Sequence, residues 1–174
     1  EHDTLACSIL LTPSQDIAEK VAVEVDKQLA KLSRNEIAKK SIESYGRIVV
    51  TETMEEAIDL ANEIAPEHLE LAVENPFDYL NKIRNAGAIF LGEYSPEPLG
   101  DYFAGPNHTL PTSGTAKFAS PLSVDAFIKK SSVIYYTREA LTAVKDKIIR
   151  IAESETLTAH ANSIRVRFES DEDE

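Results

Sequence analysis

Along the first ninety residues, apolar positions follow two alternating rhythms. Ala6-Cys7-Ser8-Ile9-Leu10-Leu11-Thr12 is a short apolar run that stops at Pro13, and it reads as a buried strand. Ser14 is placed to cap a helix, with Ile17, Val21, Val25, Leu29 and Leu32 recurring at three and four. A shorter helix is expected at Glu36–Glu43 and a second strand at Arg47–Thr51. Thr53 and Glu56 have the spacing of a capping box, opening a helix that buries Met54, Ala57, Ile58, Ala61 and Ile64. Pro66 ends that helix. Leu69–Val73 alternates like a half-buried strand, and Pro76 suits the first turn of a helix through Arg84 with Phe77, Leu80 and Ile83 inward. Ala86–Gly92 reads as another buried strand. Strands alternating with helices indicate an α/β layer built on a mainly parallel sheet.

The pattern breaks between Glu93 and Leu122. Five of the eight prolines (Pro96, Pro98, Pro106, Pro111, Pro121) and three of the six glycines (Gly100, Gly105, Gly114) fall there. Tyr94, Tyr102, Phe103 and Phe118 argue against simple disorder, so the segment reads as an ordered active-site loop. Beyond it, a short helix is expected at Ser123–Lys130 and a strand at Ser132–Thr137. Thr137 can cap a helix burying Leu141, Val144, Ile148 and Ile151, and Ser154 a last helix with Leu157, Ala161 and Ile164. The expected organisation is an α/β part at 1–122 and a small α-rich tail at 123–174, with a frayed acidic end at 169–174.

Composition narrows the function classes. The 174 residues carry 18 Lys+Arg against 30 Asp+Glu, a net charge of −12, with no basic cluster. Nucleic acid is therefore not expected as a partner. No apolar run approaches the roughly 18–20 residues of a membrane span, so no membrane partner is expected either. Cys7 is the single cysteine, which excludes an internal disulfide and a CxxC site; on a buried strand it is expected to be a small core residue. A reducing, cytoplasmic setting is the default. The chain lacks an initial Met, which suits a processed or excised piece.

Four histidines, His2, His68, His108 and His160, are the candidates for proton transfer or ligation. A lone histidine is more often a surface or satisfied core residue, and no HExxH spacing is present. Glu67-His68 stands at a helix-to-strand junction, where a carboxylate and an imidazole offer proton transfer near neutral pH. The plainer alternative is two exposed polar residues. Asp101, between Gly100 and Tyr102, can approach a ligand closely and serve as an oxygen ligand to zinc, or simply form an Asx-type turn. Gly87 and Gly92 have P-loop spacing, but Glu93-Tyr94 replaces the Lys-Ser/Thr pair.

Together these segments resemble the histidinol dehydrogenase family. Ala65-Pro66-Glu67-His68-Leu69-Glu70 is similar to its catalytic segment, and Gly100-Asp101-Tyr102-Phe103-Ala104-Gly105-Pro106-Asn107-His108-Thr109-Leu110-Pro111-Thr112 to its long signature loop. Phe118–Ser132 continues that loop. Glu155-Thr156-Leu157-Thr158-Ala159-His160 resembles its C-terminal motif, and Glu1-His2 the end of its metal-binding segment. The likeness runs to about Phe168.

The resemblance implies oxidation of L-histidinol to L-histidine through the aldehyde, with zinc and two NAD, as the last step of histidine biosynthesis. It implies a Rossmann-like sheet, incomplete in this chain, and a homodimer whose tail crosses to the partner. By the same resemblance, Glu67 and His68 form the catalytic pair, and His2, Asp101 and His160 are metal ligands. A fourth ligand, a Gln, would precede Glu1. His2, His68, Asp101, His108, Glu155 and His160 would bind substrate. The family is roughly two and a half times longer, so this chain is expected to be a C-terminal piece, inactive alone, with most NAD contacts outside it. Alternatives are a zinc- and NAD-dependent enzyme for another amino alcohol, and a non-catalytic zinc-binding module.

Overall fold

The computed structural model describes residues 1–169. The chain divides into two compact units, Glu1–Ile128 and a second from Lys129 onward. That division lies six residues beyond the boundary expected at 122. The 3₁₀ turn Val124–Phe127 stays with the first unit, and Leu122 N–H donates to the Thr109 carbonyl. The acidic end expected at 169–174 lies outside the described residues from 170 on.

In the first unit, β1 (Ile9–Thr12) is followed by helices α1 (Gln15–Leu29) and α2 (Asn35–Tyr45) and then by β2 (Arg47–Val50). Helix α3 (Met54–Ile64) leads to β3 (His68–Leu71), the single turn α4 (Phe77–Leu80) and β4 (Ala88–Leu91). The chain then forms a short helix, α5 (Glu97–Tyr102). Ser14 caps α1 by accepting the Ile17 N–H. Thr53 caps α3 by accepting from Glu56, and the Glu56 carboxylate reaches back to the Glu52 N–H at 2.7 Å. The capping box thus closes one residue earlier than its usual form.

The strands pair in parallel, as alternating strands and helices require. Among the described residues they form two separate pairs rather than one continuous sheet. Ile9–Thr12 aligns with Arg47–Val50, and His68–Leu71 with Ala88–Leu91. The core is thin. Small residues dominate it (Ala18, Ala38, Ala57, Ala61, Ala65), joined by Ile58, Leu71 and Phe90. Ile48, Val50 and Ile89, all on strands, remain substantially exposed. Phe77, expected inward, is 73% exposed because α4 stops after one turn. Cys7 is exposed too: it lies before β1, and its thiol donates to the Tyr45 carbonyl at 3.2 Å.

The second unit is helical: α6 (Arg138–Thr142), α7 (Lys145–Ser154) and α8 (Thr158–Arg165). Helices α7 and α8 pack on each other and bury Ala152 and Ala161. Thr137 caps α6 as expected. Ser154 does not cap the last helix. It is the final residue of α7 and donates to the Ile151 carbonyl, while α8 begins after Leu157 with no side-chain cap. Thr156 makes the intervening turn at φ 60°. Ile151, expected inward, is exposed. The strand expected at Ser132–Thr137 does not form. Val133 and Ile134 are 92% and 83% exposed, and no described strand pairs with them; β-prone side chains without a ladder partner do not make a strand.

Candidate active site at the β3–α5 junction

Two backbone features place Glu67 and His68. Ala65, fully buried, ends α3 in the left-handed region at φ 51° while its N–H still reaches the Ala61 carbonyl. A non-glycine residue there is uncommon and is held by its surroundings. The chain then turns through Pro66 straight into β3. On the neighbouring strand, the N–H groups of Gly87 and Ala88 donate to the carbonyls of Pro66 and Glu67 at 2.9 and 2.8 Å. Gly87 has to lack a side chain, since a Cβ would come within 2.5 Å of the Glu67 carbonyl oxygen. The Pro-Glu-His segment is therefore pinned by backbone bonds while its side chains stay available.

His68 faces two carboxylates of α5. Its Nε2 lies 3.6 Å from an Asp101 oxygen and 3.7 Å from a Glu97 oxygen. Both separations are too long for hydrogen bonds, and Nε2 is a buried nitrogen with no hydrogen-bond partner among the described residues. The three donor atoms lie within 4.8 Å of one another. Tetrahedral zinc, with bonds of about 2.0–2.2 Å to N and O, separates its ligand atoms by roughly 3.3–3.6 Å. Nitrogen and oxygen donors at this spacing suit such an ion.

The Glu97 carboxyl is pushed above its usual range, first by burial, then by the negative charge and hydrogen bond of Asp101, with Glu70 adding to it and His68 opposing. For a carboxyl raised on folding, the folded chain holds a proton that the unfolded chain has released. The contribution of this group to stability therefore declines as pH rises from the ordinary carboxylate range through the raised value. Glu70 stands two residues from His68 on β3, hence on the same face. Its carboxylate accepts the Glu97 N–H at 2.8 Å, which supplies α5 with the cap that Pro96 cannot give.

Within the first unit, His2 and His108 are not part of this cluster. His2 is exposed near the start, where its carbonyl accepts from Arg34. His108 is exposed in the loop beyond Gly105. Glu155 closes α7 and His160 sits in the first turn of α8, both exposed in the second unit. Asp101 is a helical residue; the Asx turn of this loop belongs to Asn107, whose side chain accepts the Thr109 N–H. The sequence motifs alone do not single out Glu97. Its signal is the four-residue spacing to Asp101 directly after Pro96, which puts both carboxylates on one face of a helix.

Comparison with known proteins identifies the context of this cluster. The histidinol dehydrogenase family profile matches residues 1–168. The chain belongs to the histidinol dehydrogenase family. The histidinol dehydrogenase of Caldanaerobacter subterraneus is 61% identical over 171 residues, covering 98% of this chain and 40% of that protein. That of Clostridium acetobutylicum is 60% identical over 168 residues, 97% and 39% of the two chains. The crystal structure of histidinol dehydrogenase from Elizabethkingia anophelis superimposes with a TM-score of 0.86 at 40% identity, over 97% of this chain and 39% of that one. The chain thus spans about 40% of the length of the curated relatives it matches. Among the described residues no helix is long and apolar enough to cross a membrane.

Proposed function

We propose that the β3–α5 junction is the catalytic centre of a zinc- and NAD-dependent oxidation of L-histidinol to L-histidine, in a polypeptide of which this chain supplies the catalytic segment. The observation that carries this reading is the buried, unpartnered Nε2 of His68 facing two carboxylates, inside a family whose relatives are histidinol dehydrogenases.

His68 accepts the alcohol proton as hydride leaves the carbinol carbon. Glu67, next to it, takes a proton from the water that adds to the resulting aldehyde. The hydrate would then lose a second hydride from carbon as His68 takes one hydroxyl proton, and the acid so formed releases its remaining proton to water to leave the carboxylate. NAD, when bound, would supply the hydride acceptor for both oxidations, and the water supplies the second carboxylate oxygen. No cysteine thioester is required, in keeping with Cys7 bonding only to a backbone carbonyl.

A carboxylate and two imidazoles are donors of the type zinc takes. Asp101, with His2 and with His160, would hold it, and when bound it would orient the imidazole and amino groups of the substrate and polarise the reacting centre. His108 and Glu155 would line the substrate pocket. His160 and Glu155 come from the helical unit, which in a homodimer with exchanged tails would be the partner's. The NAD surface, and a Rossmann-like sheet extending the two strand pairs, would belong to the remaining length that the relatives carry. That length would also cover the apolar strand residues exposed here. A cytoplasmic biosynthetic enzyme is the setting that follows.

A second reading is favoured by the geometry of His68, Glu97 and Asp101, which could themselves be the metal set. Replacing His68 by Asn separates the two: zinc stoichiometry persists under the first and is lost under the second. The function itself is tested on the protein made from the complete reading frame. With zinc and NAD, kcat/KM for histidinol should exceed that for amino alcohols lacking the imidazole by about 10⁴-fold, the discrimination of a site built to bind a polar group. Comparable rates across the panel would move the assignment to another amino alcohol.

A further inference from the structure

Phe90 and Gly100 lie beside the cluster of His68 and the α5 acids. Phe90, on β4, is buried. One side of its ring leans on His68, with centroids 6.0 Å apart and planes inclined at 48°. Against the outer atoms of the ring, Cε1 and Cζ, lies Gly100, the residue before Asp101. A Cβ on Gly100 would come within 2.7 Å of Phe90 Cε1 and Cζ, closer than real carbon contacts allow, and within 4.0 Å of Cδ1, which is ordinary contact. The one ring thus touches both the imidazole of His68 and the backbone of α5. The second hold on α5 is Glu70 at its N-terminus. A rigid aromatic ring and a bare backbone together leave little play in where Glu97 and Asp101 stand.

We propose that the Gly100–Phe90 contact fixes the spacing of Asp101 and Glu97 from His68, so that both are positioning residues for the site. The proposal rests on the reading of His68 as the catalytic base and Asp101 as a zinc ligand. Helix propensity points the other way, because alanine is the better helix former. A loss on Gly100→Ala therefore reports the contact and not the backbone preference. The clash also identifies its remedy: leucine at position 90 lacks the two ring atoms that a Cβ would meet.

The test uses the protein from the complete reading frame, with Gly100→Ala, Phe90→Leu and the double variant. Zinc affinity is read by competition with a chromophoric chelator, and kcat and KM are measured separately with histidinol. Gly100→Ala should weaken zinc binding and lower kcat by about 10–100-fold each, the range of second-sphere changes at metal sites. Phe90→Leu should lose less, and the double variant should recover at least tenfold over Gly100→Ala in both readouts. Should Gly100→Ala fail to fold, the double variant should fold and bind zinc. Gly100→Ala matching the parent, or losses that simply multiply in the double variant, would overturn the proposal. A parent that binds no zinc and forms no NADH would remove the functional reading itself, and the spacing proposal with it.

Discussion

Replacing His68 with asparagine in the complete, zinc-loaded protein lowers kcat for histidinol by about 10²–10⁴-fold, the usual contribution of a positioned acid–base group, with little change in KM. The imidazole is held in place from two sides. Its strand is pinned to β4 by backbone bonds, and its ring leans on Phe90. Its Nε2 has no internal partner to surrender before it can take a substrate proton. Asparagine keeps polarity and approximate size but cannot accept a proton near neutral pH. Glu67→Gln should cost a similar factor, with one difference. Oxidation of the alcohol should survive better than oxidation of the added aldehyde, since the carboxylate is assigned to the water. Rates are measured with histidinol and with the aldehyde separately, and zinc content is checked in each variant. A His68→Asn protein with kcat within threefold of the parent would remove the assignment.

Asn62→Ala should destabilise the fold by about 2–4 kcal/mol. Asn62 is buried on α3. Its Nδ2 donates to the Lys82 carbonyl at 2.9 Å, and its Oδ1 accepts the N–H groups of Arg84 and Asn85 at 2.6 and 3.1 Å. Asn85 returns a bond to the Asn62 carbonyl. One side chain thus organises the turn that delivers the chain into β4. Truncation leaves up to three backbone groups without a partner, and each costs about 1–3 kcal/mol if it stays buried. At roughly 2–4 °C per kcal/mol for a chain of this size, the thermal midpoint should fall by about 5–15 °C. Asn62→Asp keeps the acceptor and should lose less. Thermal unfolding of the three proteins measures this, and a midpoint within 2 °C of the parent for Asn62→Ala would contradict it.

Local chemistry makes much of this fold legible in the sequence. Ser14, Thr53 and Thr137 cap helices where their spacing predicts, and the apolar runs at residues 9–12, 47–50 and 88–91 become strands. Legibility ends where a tertiary contact decides. Phe77 has helical spacing, but the helix it would serve stops after one turn. Val133 and Ile134 have the right composition for a strand and no described neighbour to pair with. Ser154 has the chemistry of a cap, but the turn at Thr156 sets the start of the next helix. The candidate site divides in the same way. His68 and Asp101 stand out in the sequence as motif residues, and the fold brings them together. Glu97 joins them where α5 meets β4 at Gly100 and Phe90 and where Glu70 accepts its N–H, contacts that no local pattern encodes. Glu70 reads as one polar position on an alternating strand; the backbone N–H it caps lies 27 residues away.

The most direct measurement is the number of NADH formed per histidinol consumed by the zinc-loaded protein from the complete reading frame, with Asp101→Asn alongside. Two NADH per histidinol, with histidine as product and turnover lost in Asp101→Asn, is the expected result. One NADH with the aldehyde accumulating, or full turnover in Asp101→Asn, would contradict the assignment of the β3–α5 junction as the centre of both oxidations.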